Sequence, residues 1–452
     1  MKSAEMIEET LHKIKSIDHS GYELRSVLAL SSQALDQARE YDKSNANLPL
    51  AGFPILIKDN IEAIGLPATA GSLALADTPV VRDSTIASRL RAAGAIIVGA
   101  TNLSEWANIR SDRSTSGWSA VGGLTANPWK YTQSAGGSSS GSGAAVAANL
   151  TQWAIGSETD GSIICPASLN GCVGIKPTVG SIPRDAMIPI SRSQDTPGPM
   201  AQTVGQAAQL LDILTDKKIY SLAATSSSKL RIGLVKEWFT KDDRVNALFD
   251  SAVAALSKSG ITVVEINLPQ PSESDNEDEL NVLLHEIVSG MAEYLAGRSG
   301  VRVRSLKEIV EFNQKHAGTE LAHFGQELFD KALELRRRDA EYEMQRTRNL
   351  QWANQVLSLG LEKMDVLIGC TYGPAWTSTL GHGDSFNAAS WITTAPAVAG
   401  TPIGTIPMGL VDGLPVGLGF VVSRDREEKL ITAMAQAERT LGLGVLQPTF
   451  IK

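Results

Sequence analysis

Lys58 closes the run FPILIKDNI, Ser138 stands in SAGGSSSGSGAAVAAN, and Ser162 follows a glycine in GSETDGSIICPAS. A serine hydroxyl becomes a nucleophile only when a base takes its proton, and a lysine amine can be that base only if it is neutral near pH 7. An apolar strand that ends on a lysine supplies the desolvation needed to neutralise the amine, so the three pieces outline a hydrolytic site without histidine. Thr159, Asp160 and Gly161 lead into Ser162 as a tight turn. Such a turn can point successive backbone N–H groups at one spot beside the hydroxyl, where they would stabilise a tetrahedral oxyanion.

The elements that must hold these residues are those of an α/β protein. Leu48 to Asn60 carries a strand-like apolar run ending at Lys58, after a helical opening to about Tyr41. STIASRLRAAGAIIVGATN predicts a helix, a glycine turn and a strand, and the pattern recurs in RVNALFDSAVAALSKSGITVVEINLP. From Gly117 to Pro199 the chain is rich in glycine, serine and proline, the composition of loops that carry chemistry on a rigid scaffold. The acidic segment SESDNEDEL is expected as a loop, followed by a helical excursion over about 281–363 that includes a solvated arginine run at 336–338. From Asp365 the α/β alternation returns to the end. The expectation is one large α/β domain, residues 1–452, with a mixed central sheet covered by helices.

Bulk properties exclude several classes. The 452 residues are 43% hydrophobic and 20% charged, an ordinary globular composition, and no apolar stretch reaches the roughly 20 residues of a membrane span. A net charge of −8 gives no reason to expect nucleic acid or an anionic membrane as partner. Cys165, Cys172 and Cys370 form no CxxC pair and are expected as small core residues. The amphipathic start MKSAEMIEETLHKIK predicts a first helix rather than a secretory signal, so cytoplasmic residence is the expectation.

The glycine loop lacks the Lys-Ser/Thr end of a phosphate-binding loop and the spacing of a dinucleotide fingerprint. Gly137 to Gly141 does spell G-x-S-x-G, the nucleophile elbow of α/β-hydrolases, with Ser139 at its centre. That arrangement requires a later histidine, and His382 in LGHGDS is the one suitably placed among six. No HGGG-type oxyanion segment precedes it.

Taken together, the segments resemble the amidase signature enzymes. IKDNI matches the lysine block, GGSSSGSGAAVA the glycine-serine block, and GSETDGSIICPASLNGCVGIKPTVG the nucleophile block. TNLSEWAN, SQDTPGPMAQTV and AGTPIGTIPMG with LPVGLGF match flanking segments, so the resemblance covers about Leu48 to Pro269 and Asp365 onward. It implies an acyl-forming nucleophile at Ser162, a bridging serine on a cis peptide at Ser138, a base at Lys58, and no cofactor or metal. Two departures narrow the branch: Asp160 replaces a glycine, and Ile163, Ile164 and Cys165 provide no arginine to clamp a carboxylate-bearing substrate. The wording is most similar to bacterial peptide amidases, implying peptide or amino-acid amides as substrates. The amidase component of a tRNA-dependent amidotransferase is the alternative within the family.

Overall fold

The computed structural model describes residues 2–44, 46–335 and 339–452. Its frame is one eleven-stranded sheet. From one edge the order is Val27–Leu30, Ile96–Thr101, Pro54–Lys58, Trp153–Glu158, Thr196–Ala201 and Val173–Lys176. It continues through Ile403–Val411, Leu414–Val421, Val366–Cys370 and Arg231–Val235 to Thr262–Ile266. Pro54–Lys58 runs parallel to both neighbours, whereas Trp153–Glu158 and Thr196–Ala201 pair antiparallel, so the sheet is mixed as expected. Central strands are buried on both faces, which is why their sequences are continuous apolar runs rather than alternating ones.

Helices cover the two faces and divide the core. Ile55 and Ile57 pack into one apolar cluster with Leu90, Leu210 and Leu211. Leu56 packs into the other, with Ala144, Ala145 and Val146. Strand alternation then sets Lys58 on the face of Leu56, where the helix Ser140–Ala147 lies.

Two expectations need correction. The opening is not helical throughout, because Val27–Leu30 forms the edge strand between helices Ser3–Lys13 and Ala34–Ser44. Four residues pairing on one side carry too little periodicity to stand out. The acidic segment is not a loop: Ser272 caps the helix Glu273–Gly297, its hydroxyl accepting from Asp275 N–H at 3.2 Å while Asp275 accepts from Ser272 N–H at 2.8 Å. Carboxylates in a first turn favour the helix dipole, and Asp278 pairs with Arg348 at 2.7 Å.

The helical excursion comprises Glu273–Gly297, Leu306–Lys315, Ala317–Glu320, Glu327–Leu335 and Asp339–Leu361. Leu284, Ile287, Met291, Ile309 and Phe329 build a separate core against Trp106 and Ile188. The arginine run 336–338 lies outside the described residues. The three cysteines are buried and unpaired. Among the described residues no helix is long and apolar enough to cross a membrane.

Candidate active site

Lys58 is the last residue of its strand and is fully buried. Its Nζ donates to Ser138 Oγ at 2.7 Å, to Ser157 Oγ at 3.0 Å and to the Ser157 carbonyl at 3.1 Å. Asn60 Nδ2 holds the same Ser157 hydroxyl at 2.9 Å. Burial pushes the amine down from 10.5 to about 7, against the opposing pull of the Asp195 and Glu158 carboxylates. The group therefore changes charge near neutrality, which an exposed lysine does not.

Ser138 follows a cis peptide bond from Gly137, and its carbonyl accepts from Ser104 N–H at 3.1 Å. Gly137 has no room for a side chain, since a Cβ there would overlap the hydroxyls of Ser104 and Ser116. The next residue ties the loop to the third element: Ser139 N–H donates to the Ser162 carbonyl at 3.0 Å.

Ser162 is 9% exposed, while Lys58 and Ser138 are sealed at 0%. It sits between the strand Trp153–Glu158 and the helix Ile164–Asn170. Gly161 carries the turn at φ +75°. Among the described residues, no hydrogen bond engages the backbone N–H groups of Thr159, Asp160 or Gly161. A turn whose donors are left free beside a hydroxyl can receive a developing negative charge.

Carboxylates support this turn from behind. Glu158 Oε2 accepts from Ile163 N–H at 2.7 Å and Ile164 N–H at 3.0 Å, holding the segment after Ser162. Asp195 accepts from Thr159 Oγ1 at 2.7 Å and from the N–H groups of Ile190 and Ser191 at 2.8 and 2.9 Å. Burial raises Asp195 to about 6 and also lifts Glu158. Gln194 bridges Glu279 on the helix Glu273–Gly297, at 2.7 Å, to the Thr159 carbonyl at 3.5 Å.

Of the eight residues singled out from sequence, Lys58 and Ser138 form one hydrogen-bonded pair and Thr159, Asp160, Gly161 and Ser162 one turn, tied together by the bond from Ser139 N–H to the Ser162 carbonyl. Asn60 lay within the quoted lysine block, Ser157 within the nucleophile block and Asp195 within SQDTPG, but nothing in their types distinguished them from neighbours. Glu279 lay in the acidic segment SESDNEDEL, expected as a loop and with nothing to link it to the site. Ser139, centre of the alternative elbow, is fully buried, donating to the Ser157 carbonyl at 3.0 Å and accepting from its N–H at 3.2 Å. His382 is exposed in a loop that packs near Asp112 and Arg113, and no hydrogen bond joins it to Ser139 among the described residues.

Comparison with known proteins gives this geometry its family. The Amidase family model matches residues 5–431. The native peptide amidase of Stenotrophomonas maltophilia superposes with a TM-score of 0.89 at 39% identity, covering 100% of this chain and 96% of that one. An amidase family protein from Bacillus anthracis gives a TM-score of 0.88 at 28% identity, over 99% of this chain and 90% of that one. A glutamyl-tRNA(Gln) amidotransferase subunit from Salinispora tropica is 33% identical over 97% of this chain and 94% of its own length. With a family match across nearly its whole length and solved amidases of the same fold, the chain belongs to the amidase signature family of hydrolases acting on amide C–N bonds.

Proposed function

We propose that the protein hydrolyses small carboxylic amides, C-terminal peptide amides and amino-acid amides first, through an acyl-enzyme on Ser162. The observation that carries this reading is the buried Lys58 amine, held 2.7 Å from Ser138 Oγ and poised near neutrality. Neutral Lys58 takes the proton of Ser138 as Ser138 takes that of Ser162, and Ser162 Oγ bonds to the amide carbon. The carbonyl electrons move to oxygen, where the N–H groups of Thr159, Asp160 and Gly161 receive them, each such donor contributing roughly 3 kcal/mol in comparable sites. The proton returns from Lys58 through Ser138 to the nitrogen as the C–N bond breaks and ammonia or an amine leaves. Water then repeats the sequence on the ester, releasing the acid and restoring Ser162.

Similarity to the peptide amidase supports the substrate class, and the lack of an arginine beside Ser162 supports neutral over anionic amides. A second reading, the amidase component of a tRNA-dependent amidotransferase, is favoured by the 33% identity to the Salinispora protein. Mass spectrometry after fluorophosphonate treatment, beside ammonia release from the lone chain, separates the readings. One adduct on Ser162 and many turnovers of dipeptide amides without ATP are expected. An adduct on Ser139 would transfer the chemistry to the elbow, and turnover only with partner proteins would make the chain one component of a complex.

A further inference from the structure

Beside the 159–162 turn lies a cavity of about 180 Å³ whose walls include Asp160, Tyr372, Phe386, Trp391, Ile392 and Thr393. It adjoins Ser162 closely: a Cβ on Gly161 would stand 2.6 Å from Tyr372 Oη and 3.6 Å from Thr393 Oγ1. Its aromatic rim is open to solvent, with Trp391 49% and Phe386 38% exposed. Trp391 has φ +60°, a conformation that bulky residues adopt only when the surrounding structure imposes it. Phe386 is braced by Tyr372 and Trp376, with ring centroids 6.4 and 5.3 Å away.

The floor of this cavity carries a carboxylate, that of Asp160. Asp160 Oδ1 is buried and receives no hydrogen bond among the described residues. No lysine or arginine is among the described residues lining the cavity. The cation acting on Asp160 is the Lys176 ammonium, which spends its own hydrogen bonds on the carbonyls of Thr401 at 2.7 Å and of Pro177 and Pro396 at 3.5 Å. That single ammonium is shared among the carboxylates of Glu158, Asp160 and Glu427. Burial raises Asp160 against the opposing hydroxyls of Thr393 and Thr394. Glu279 is raised by burial and then by the nearby Asp160 charge.

A half-buried carboxylate with one buried, unused oxygen, under three aromatic walls, is the chemistry that captures a protonated amine. We infer that this cavity binds a primary ammonium group carried by the acyl part of the substrate, as in an amino-acid amide with a free α-ammonium. The assignment rests on the amide-hydrolase reading for its substrate, but the site itself can be tested without turnover.

Calorimetric titration of the full chain with benzylammonium and with benzyl alcohol compares a cation with a neutral molecule of the same shape. Benzylammonium should bind about tenfold or more tightly, and the preference should vanish in Asp160→Asn. Trp391→Leu, which removes a π face and leaves the carboxylate, should reduce the preference without abolishing it. Equal binding of the two probes, or a preference that survives Asp160→Asn, would overturn the assignment and favour a plain apolar pocket. Ammonia release from phenylalaninamide and N-acetylphenylalaninamide completes the test. If the binding preference holds and neither amide is hydrolysed, the ammonium site stands and the substrate reading falls. If both are hydrolysed equally and no preference is found, the substrate reading stands and the ammonium site falls.

Discussion

At the residue scale the decisive quantity is the proton affinity of one amine. Lys58 is active as a base only when neutral, so kcat/KM should rise as pH passes through about 7 and then level off. The Asp195 carboxylate stabilises the ammonium form and thereby raises the pKa that burial has lowered. Above about pH 6 Asp195 is ionised, so Asp195→Asn removes a negative charge across the working range. The Lys58 pKa must then fall, and the rising limb of the profile should move down by roughly one pH unit. The limb's midpoint is the measurement, since loss of hydrogen bonds to Thr159 will also lower the plateau. An unmoved limb, or one displaced upward, would remove Lys58 from the proton path.

At the element scale the site exists because three segments approach more closely than side chains normally allow. The helix Ser140–Ala147 packs by its backbone: a Cβ on Gly141 would overlap the Ser26 carbonyl and stand 2.5 and 2.7 Å from the Asn102 carbonyl oxygen and nitrogen. Gly141→Ala should therefore cost about 3 kcal/mol or more and shift the thermal melt sharply downward. Gly205→Ala is the matched control, in open space within the helix Val204–Thr215, and should leave the melt unchanged or slightly raised. Comparable melts for the two variants would mean that the helix is not seated as described. The same contrast explains what was legible in the sequence. The strand ending at Lys58 and the glycine turn before Ser162 announce themselves, because burial on both faces forces an apolar run and a left-handed turn favours glycine. The edge strand Val27–Leu30 does not, because its pairing partner Ile96–Thr101 lies far along the chain; the acidic helix carries a local cap, Ser272 with Asp275, which its run of carboxylates masks as a solvated loop. Asp195 and Glu279 reach the turn from Thr159 only through the folded packing, so no local pattern marks them.

At the scale of the whole molecule, charge becomes a statement about which substrates arrive. The net charge of −8 belongs to the whole chain, while at the site burial shifts the carboxylates of Glu158, Asp160, Asp195 and Glu279 and the amines of Lys58 and Lys176 alike toward neutrality. The field around the entrance should therefore attract cations and repel anions over a distance set by ionic strength, about 30 Å at 0.01 M and 8 Å at 0.15 M. Across that range kcat/KM for cationic phenylalaninamide should fall severalfold, and that for the anion N-succinylphenylalaninamide should rise. Neutral N-acetylphenylalaninamide should stay level, which separates screening from any general effect of salt on the enzyme. Because the long-range field comes from the whole surface, Asp160→Asn should retain most of the salt slope even where it abolishes the ammonium preference of the cavity. A cationic slope that disappears with Asp160 would instead place all of the selectivity in the one carboxylate, and a level response from all three amides would mean that charge acts only on contact.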